Sequence, residues 1–423
     1  MIAQKISSKR LVLSSIGTIG GRISNAGSQL LITGILARTL NANMFGFWAL
    51  LYTIYSLIPN LDFGFGQALR LKLADLNARG GNRDLEERMF WNVSWILLIL
   101  GIIFGSVAGI VSLFLPNIET QLRFPLFFFS IACGLTISFN LGTQIFYSYE
   151  EGFQRGILDI SQALLLAISV WIISRSNQLS LLVFAFYSVA VVCNAIALLW
   201  FIQKRQWKIQ KAYFSDLQET FKEIWQSSLW FWLLAIFAAG ISGTLPLFVA
   251  GATNFEQVGH FVILQRLFTL LITLHYAWIS TLQSAYTRSI ARDEWSWAKR
   301  TWQRSSIITA VGMLSLSILM IWLHQPIIQL WTGKHIFDPI LVIVLACLAC
   351  ILTWINVHSV VLNGMGIIQP QVYWFFFGFV IYIFLNLILI PTIGVIGSPI
   401  ATIVALSPMA ILNYFFVKYR LTN

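Results

Sequence analysis

Two arginines, Arg22 and Arg266, fall inside long apolar stretches, and polar residues surround each at helical spacing. On the first stretch Thr18, Arg22, Asn25, Gln29 and Thr33 recur every three or four residues; on the second, Arg266, Thr269, Thr273, Tyr276, Ser280 and Gln283 do the same. This spacing puts each set on one face of a helix. Insertion scales make an arginine at the centre of a membrane helix unfavourable by about 2.5–3.5 kcal/mol, so it needs water, a partner or a bound anion. Arg266 lies about 15 Å along its span at 1.5 Å per residue, and the expected facing stretch, 235–243, holds no acid. It is the stronger candidate for gripping a negatively charged group. Arg22 has a competing account. It and Asp62 are equally distant from the turn at residue 42, so an antiparallel hairpin sets them at similar depth, where they can form a structural ion pair. Asn140 belongs to a third stripe with Thr136, Thr143 and Tyr147. The candidate substrate contacts are therefore Arg22, Asn25, Gln29, Asn140, Arg266, Thr269, Thr273 and Tyr276. The plainer alternative for every stripe is polar adhesion between helices.

Titratable groups come next. Asp62, Glu256 and His275 are the candidates for ion coupling, histidine because it titrates near neutrality; for each histidine a hydrogen-bonded structural role competes. No metal or cofactor is expected. Cys347 and Cys350 form a single Cys-x-x-Cys pair in the middle of an apolar run, where buried thiols behave as small apolar residues. Asp62-Phe63-Gly64 spells a kinase metal-binding triplet without the surrounding kinase signatures. Gly17-x-x-Gly20-Gly21 lacks the ending of a phosphate loop. No stretch outside the apolar runs is long enough for a soluble catalytic domain, so the reading is transport rather than catalysis.

The elements that position these residues follow from composition. Of 423 residues, 58% are hydrophobic and 10% charged, and mean hydropathy is +0.78; soluble domains carry about 25% charged residues. About twelve apolar runs, the first near 14–37 and the last near 395–417, are long enough to cross a hydrocarbon core of about 30 Å as helices. The expected fold class is an all-α polytopic membrane protein. The net charge of +11 does not call for nucleic acid. With the N-terminus cytoplasmic, most lysines and arginines fall in cytoplasmic segments, which is the positive-inside pattern, and both termini are then cytoplasmic.

The halves resemble each other. Gly46 in Phe45-Gly46-Phe47-Trp48 matches Gly259 in Val258-Gly259-His260-Phe261; Gly152 matches Gly364, Gly101 matches Gly312, and Pro116 matches Pro326, all at nearly one offset. Two six-helix repeats follow: an N-terminal lobe at 1–202, an amphipathic cytoplasmic connector at 203–225 lying along the membrane, and a C-terminal lobe at 226–423. Repeats of equal orientation place a cavity between them. The first helices of the lobes hold Gly17, Gly20, Gly21 and Gly27, and Gly240, Gly243 and Pro246, which serve either as kinks in moving helices or as close-packing sites.

Ala37-Arg38-Thr39-Leu40, Phe45-Gly46-Phe47-Trp48 and Asp62-Phe63-Gly64-Phe65-Gly66 resemble the opening of Wzx-type O-antigen flippases of the multidrug/oligosaccharidyl-lipid/polysaccharide (MOP) exporter superfamily. The resemblance runs over the chain through twelve spans, the repeat and the Gly364 loop. It implies a V-shaped bundle in the bacterial cytoplasmic (inner) membrane that moves undecaprenyl-diphosphate-linked oligosaccharide during lipopolysaccharide or other polysaccharide biosynthesis. The partners it implies are that polyprenyl-diphosphate-linked oligosaccharide, membrane lipids, and a polysaccharide polymerase or assembly proteins. A multidrug and toxin exporter of the same superfamily stays open as the alternative.

Overall fold

A computed structural model describes residues 2–78, 82–114, 120–149, 151–176, 178–211 and 213–422; the side chains of 2–15 and a few others are left undescribed. Pro116, one of the repeat markers, lies outside the described residues. The described chain is helical. In order the helices are α1 (Ile2–Thr39), α2 (Ala42–Leu57), α3 (Phe65–Ala78), α4 (Arg83–Phe114), α5 (Thr120–Phe139), α6 (Leu141–Gln144), α7 (Gly152–Ile173), α8 (Leu179–Arg205), α9 (Phe214–Gly243), α10 (Leu245–Ala252), α11 (Phe255–Ile279), α12 (Leu282–Ala291), α13 (Trp295–Thr332), α14 (Pro339–Gly364), α15 (Gln369–Ile393) and α16 (Gly397–Thr422). Each expected span coincides with one helix or a run of them. Nine stretches among the described residues are long and apolar enough to cross a membrane; the last, Gln369–Thr422, holds both α15 and α16, and α9, bent by 59°, makes a tenth candidate. α1, which carries the Arg22 stripe, is not among them.

The surface agrees with a hydrocarbon solvent. Phe114 is 79% exposed, Trp322 81% and Leu387 65%, and many apolar neighbours are open as well. Soluble monomers rarely expose contiguous apolar patches beyond a few hundred Å². This is a multi-pass membrane protein.

The chain forms two compact units, Met1–Thr39 with Ile54–Ala235, and Leu40–Thr53 with Ile236–Asn423. These limits differ from the expected lobes in two ways. The first turns of α2 pack with the second unit, and the division falls inside α9 rather than at its approach. In the first unit α1 lies against α7, α4 against α5, and α8 against both α5 and α7. Phe90, Phe146, Phe201 and Trp207 fill one end of it with ring contacts. In the second unit α14 is central, touching α11, α13 and α16. Its apolar clusters gather around Tyr286, Val361 and Val417, and around Tyr382, Ala405 and Met409.

The connector is held down by specific bonds. Lys208 N donates to Glu87 Oε1 at 2.7 Å, Trp95 Nε1 to the Gln210 carbonyl at 3.1 Å, and Asn92 Nδ2 to Thr220 Oγ1 at 2.9 Å. Phe221 stacks on Trp225, and Lys72 pairs with Glu223 at 2.7 Å. Trp207 is buried at 6% exposure, while Ile209 (76%), Tyr213 (63%) and Phe214 (82%) remain exposed.

Glycine permits close packing in both first helices, on α9 at Gly240, where a Cβ would strike the Phe379 ring, and the second adds a break. On α1 it permits contact: a Cβ on Gly17 would collide with the Phe153 backbone, one on Gly21 would stand 2.9 Å from Asp159 Cβ, and one on Gly156 would collide with the Gly17 backbone. Ser28 continues that seam, donating to the Ala163 carbonyl at 2.7 Å. On the other side of the repeat the chain breaks. α9 stops at Gly243, and α10 restarts with Pro246 in its first turn. Thr244 Oγ1 donates to the Gly240 carbonyl and lies 3.1 Å from Tyr382 Oη, which satisfies groups that a break would otherwise leave open in lipid.

Candidate functional site

In the first unit the polar stripe of α1 sits one residue beyond the glycine seam. Gly17, Gly21 and Ser28 face α7, while Arg22, Asn25 and Gln29 are each half-buried beside that contact. Arg22 therefore approaches α7. Asp159, on α7, is ion-paired with buried Arg155 one turn earlier, and it lies within electrostatic reach of Arg22. The hairpin count had matched Arg22 with Asp62. Asp62 is instead committed to the backbone: it is 5% exposed, and its oxygens accept from Gly64 N at 2.8 Å and Gly66 N at 3.2 Å. The carboxylate closes a tight corner in which Phe63 (φ 52°) and Gly64 (φ 76°) are left-handed. A Cβ on Gly64 would collide with the Ser228 carbonyl, so only glycine fits there. Equal distance from a turn says nothing about which way each side chain points, and that is where the counting failed.

Asn140 and its companions mark a helix break. α5 stops at Phe139 and α6 begins at Leu141; Asn140 Oδ1 accepts from Thr143 Oγ1 at 3.0 Å, Thr136 Oγ1 lies 3.0 Å from Tyr55 Oη, and Arg70 stands over the Tyr147 ring at 5.3 Å. The polar groups of this stripe bond to one another and to Tyr55 where α5 gives way to α6.

In the second unit the site is built on a helix crossing. A Cβ on Gly46 would fall on the Phe255 carbonyl, and one on Gly259 would stand 2.9 Å from Phe45 Cδ1. The two glycines matched between the repeats thus meet each other, bringing α2 and α11 into backbone contact. Asn254 caps α11, its side chain accepting from Gln257 N at 2.9 Å. About two turns beyond Gly259, the Arg266 guanidinium lies 4.4 Å from the centroid of Tyr52 on α2. A ring face attracts a cation without cancelling its charge. Arg266, Thr269 and Thr273 are half-buried, and Tyr276 is 40% exposed. Thr269 and Thr273 donate back to the carbonyls of Gln265 (2.9 Å) and Thr269 (2.8 Å). Their lone pairs stay free to accept, and donation to a ligand requires the hydroxyls to turn.

The remaining candidates stand apart from this face. His275 is nine residues from Arg266, about 180° around a helix of 3.6 residues per turn; it is buried with Nε2 2.9 Å from Thr309 Oγ1 on α13. Glu256 is exposed in the first turn of α11 and interacts electrostatically with His260 and Lys334. Burial pulls the Lys334 ammonium below its ordinary range, with Glu256 opposing the shift, and Lys334 Nζ sits 5.4 Å from the Phe45 ring centroid.

Sequence reasoning missed a charged cluster at one end of the first unit. Tyr149 Oη donates to Glu86 at 2.7 Å, Arg205 covers the Tyr149 ring at 3.7 Å and bonds Glu151 at 3.0 Å, and Lys204 reaches the same Glu151 at 2.7 Å. Burial and the Glu86 bond push the Tyr149 hydroxyl well above its usual range. These residues lie in separate segments, and nothing in their spacing announces the cluster. Among the described residues no group of His, Cys, Asp and Glu is arranged to hold a metal ion, and the four cysteines are free.

No protein-family model matches the chain, and no curated protein matches it in sequence. Solved structures do match in fold. One is the inward-facing conformation of a multidrug resistance MATE family transporter of the MOP superfamily, at 15% identity and TM-score 0.72, over 95% of this chain and 94% of that one. A MOP superfamily transporter from Pyrococcus furiosus, described by a reverse polarity of its binding pocket that suggests a different function, matches at 13% identity and TM-score 0.68, over 98% and 96%. A substituted form of the Vibrio cholerae MATE transporter VcmN matches at 13% identity and TM-score 0.70, over 100% and 98%. The chain has the fold of MOP superfamily transporters from end to end.

Proposed function

We propose that this chain is a membrane transporter, without enzymatic activity, that moves an amphipathic substrate by alternating access. The fold carries this reading: it matches that of known transporters over nearly the whole length of both chains. The positive-inside pattern supports a bacterial cytoplasmic membrane with both termini inside.

Of the finer readings, the exporter comes first, because neighbours sharing the fold are described as multidrug transporters. The flippase reading has one observation in its favour. Arg266, held over Tyr52 on a half-buried helical face, repels a cationic drug and attracts a diphosphate, and at 4 Å a unit-charge interaction is worth about 4 kcal/mol at an effective dielectric of 20. Arg22, Asn25, Gln29 and Asn140 join the proposed substrate contacts. Asp62, Glu256 and His275 are the proposed ion-coupling groups.

Two assays separate the readings. In a drug-hypersensitive strain, expression of an exporter raises tolerance to toxic cations and lowers their accumulation. In a strain lacking its own flippase, expression of a flippase restores surface polysaccharide and clears lipid-linked units from the cytoplasmic face. Drug tolerance without polysaccharide rescue removes the flippase reading, and the opposite result removes the exporter. Failure of both removes the transport proposal in these forms.

A further inference from the structure

The second unit carries a cavity unrelated to the Arg266 face. We propose that the crevice among α13, α14 and α16 is a binding site for the headgroup of an anionic membrane phospholipid. The cavity holds about 550 Å³, and α13 lines it with Lys299, Trp302, Gln303 and Ser306, α14 with Trp354, and α16 with Tyr414 and Lys418. Two ammonium groups therefore border one space, and among the described residues no carboxylate side chain lines it.

Buried donors in its wall lack acceptors. Trp302 is 4% exposed and Ser306 7%, and among the described residues neither Trp302 Nε1 nor Ser306 Oγ has a hydrogen-bond partner. A buried donor left unmade costs about 1–3 kcal/mol. Both atoms are closed off from solvent, so an incoming oxygen reaches Ser306 after rotation about its Cα–Cβ bond. The wall thus offers two ammonium groups and, once its side chain turns, the Ser306 hydroxyl, which suits phosphate oxygens.

A lipid is favoured over a soluble anion by what surrounds the opening. Ile307, itself a lining residue, is 62% exposed, and Val311 (61%) and Leu314 (57%) continue the same face of α13 away from Lys299. This apolar track suits an acyl chain, while Trp302, Trp354 and Tyr414 supply the amphipathic rings common at the level of headgroups. Basic pockets between membrane helices are established headgroup sites in other proteins. The inference requires only that the chain spans a membrane and is independent of what it carries.

The test uses the full chain, purified in mild detergent with equal phosphatidylglycerol and phosphatidylcholine, and counts retained lipids by native mass spectrometry. The unsubstituted protein is expected to retain phosphatidylglycerol with at least tenfold preference. That preference should fall about fivefold for each lysine removed, approaching parity in K299Q/K418Q and persisting in K299R/K418R. Lys418 is exposed, so K418Q alone carries the test should the double variant fail to insert. Equal retention of the two lipids by the unsubstituted protein, or an unchanged preference in the glutamine variants, overturns the proposal. Displacement of the bound lipid by millimolar inorganic phosphate also overturns it and assigns the cavity to a soluble anion.

Discussion

Two helix crossings in this protein are built from the same materials to different ends. In the first unit α1 meets α7 through Gly17, Gly21 and Gly156; in the second, α2 meets α11 through Gly46 and Gly259. Each seam has an arginine nearby. Arg22 approaches a carboxylate that Arg155 already holds, whereas the guanidinium of Arg266 rests on an aromatic ring. A carboxylate neutralises the cation it serves, whereas a ring face attracts a cation without carrying an opposite charge. The first crossing is close-packed through its glycines, with the proposed contacts Arg22, Asn25 and Gln29 beside the seam. The second carries the proposed ligand contact at Arg266.

The largest expected effect tests the shared half of that comparison. Gly46→Leu forces a side chain into the Phe255 carbonyl, and overpacking of this kind typically costs 1–3 kcal/mol and sometimes more. The expected result is loss of folded, monodisperse protein in detergent, read by size exclusion and thermal melting; a variant that melts like the unsubstituted protein refutes backbone contact at this crossing. Next come Arg266→Ala and Arg266→Lys. The first is expected to lower transport tenfold or more, about 1.4 kcal/mol per decade, with the amount of membrane-inserted protein unchanged, and the second to retain part of the activity. Full transport by Arg266→Ala ends its assignment. The smallest effect separates the two arginines. A thermal-stability cycle of Arg22→Ala, Asp159→Ala and the double variant should give a coupling of about 0.5–3 kcal/mol, as for groups in contact or in one ion-pair network. A coupling of zero would make Arg22 independent of Asp159 and restore it as a rival to Arg266.

The helices were legible in the sequence because apolar runs of this length in a chain with 10% charged residues have few other solutions. Their interruptions were less so. The Asn140 stripe has the same spacing as the Arg266 stripe, yet it spans the change from α5 to α6, which periodicity alone does not reveal. The repeat predicted more similarity than exists. Gly101 lies tight against Gly134, where a Cβ would strike the backbone, while its counterpart Gly312 has nothing within 4 Å. The same residue therefore serves close packing in one lobe and stands beside open space in the other, since the residues opposite, not the glycine, decide its role. His275 was legible in principle, because nine residues from Arg266 is half a revolution of a helix.

The assignment of 40–53 to the second unit has a consequence for synthesis. Those residues leave the ribosome early, yet the α11 backbone they pack against lies some two hundred residues later, a delay of roughly 10–40 s at 5–20 residues per second. Throughout that interval Phe45, Gly46 and Trp48, all nearly inaccessible in the finished molecule, must be sheltered by lipid or by the insertion machinery. Neither unit is one uninterrupted piece of chain, so cutting the gene between α8 and α9 would strand this segment with the wrong fragment.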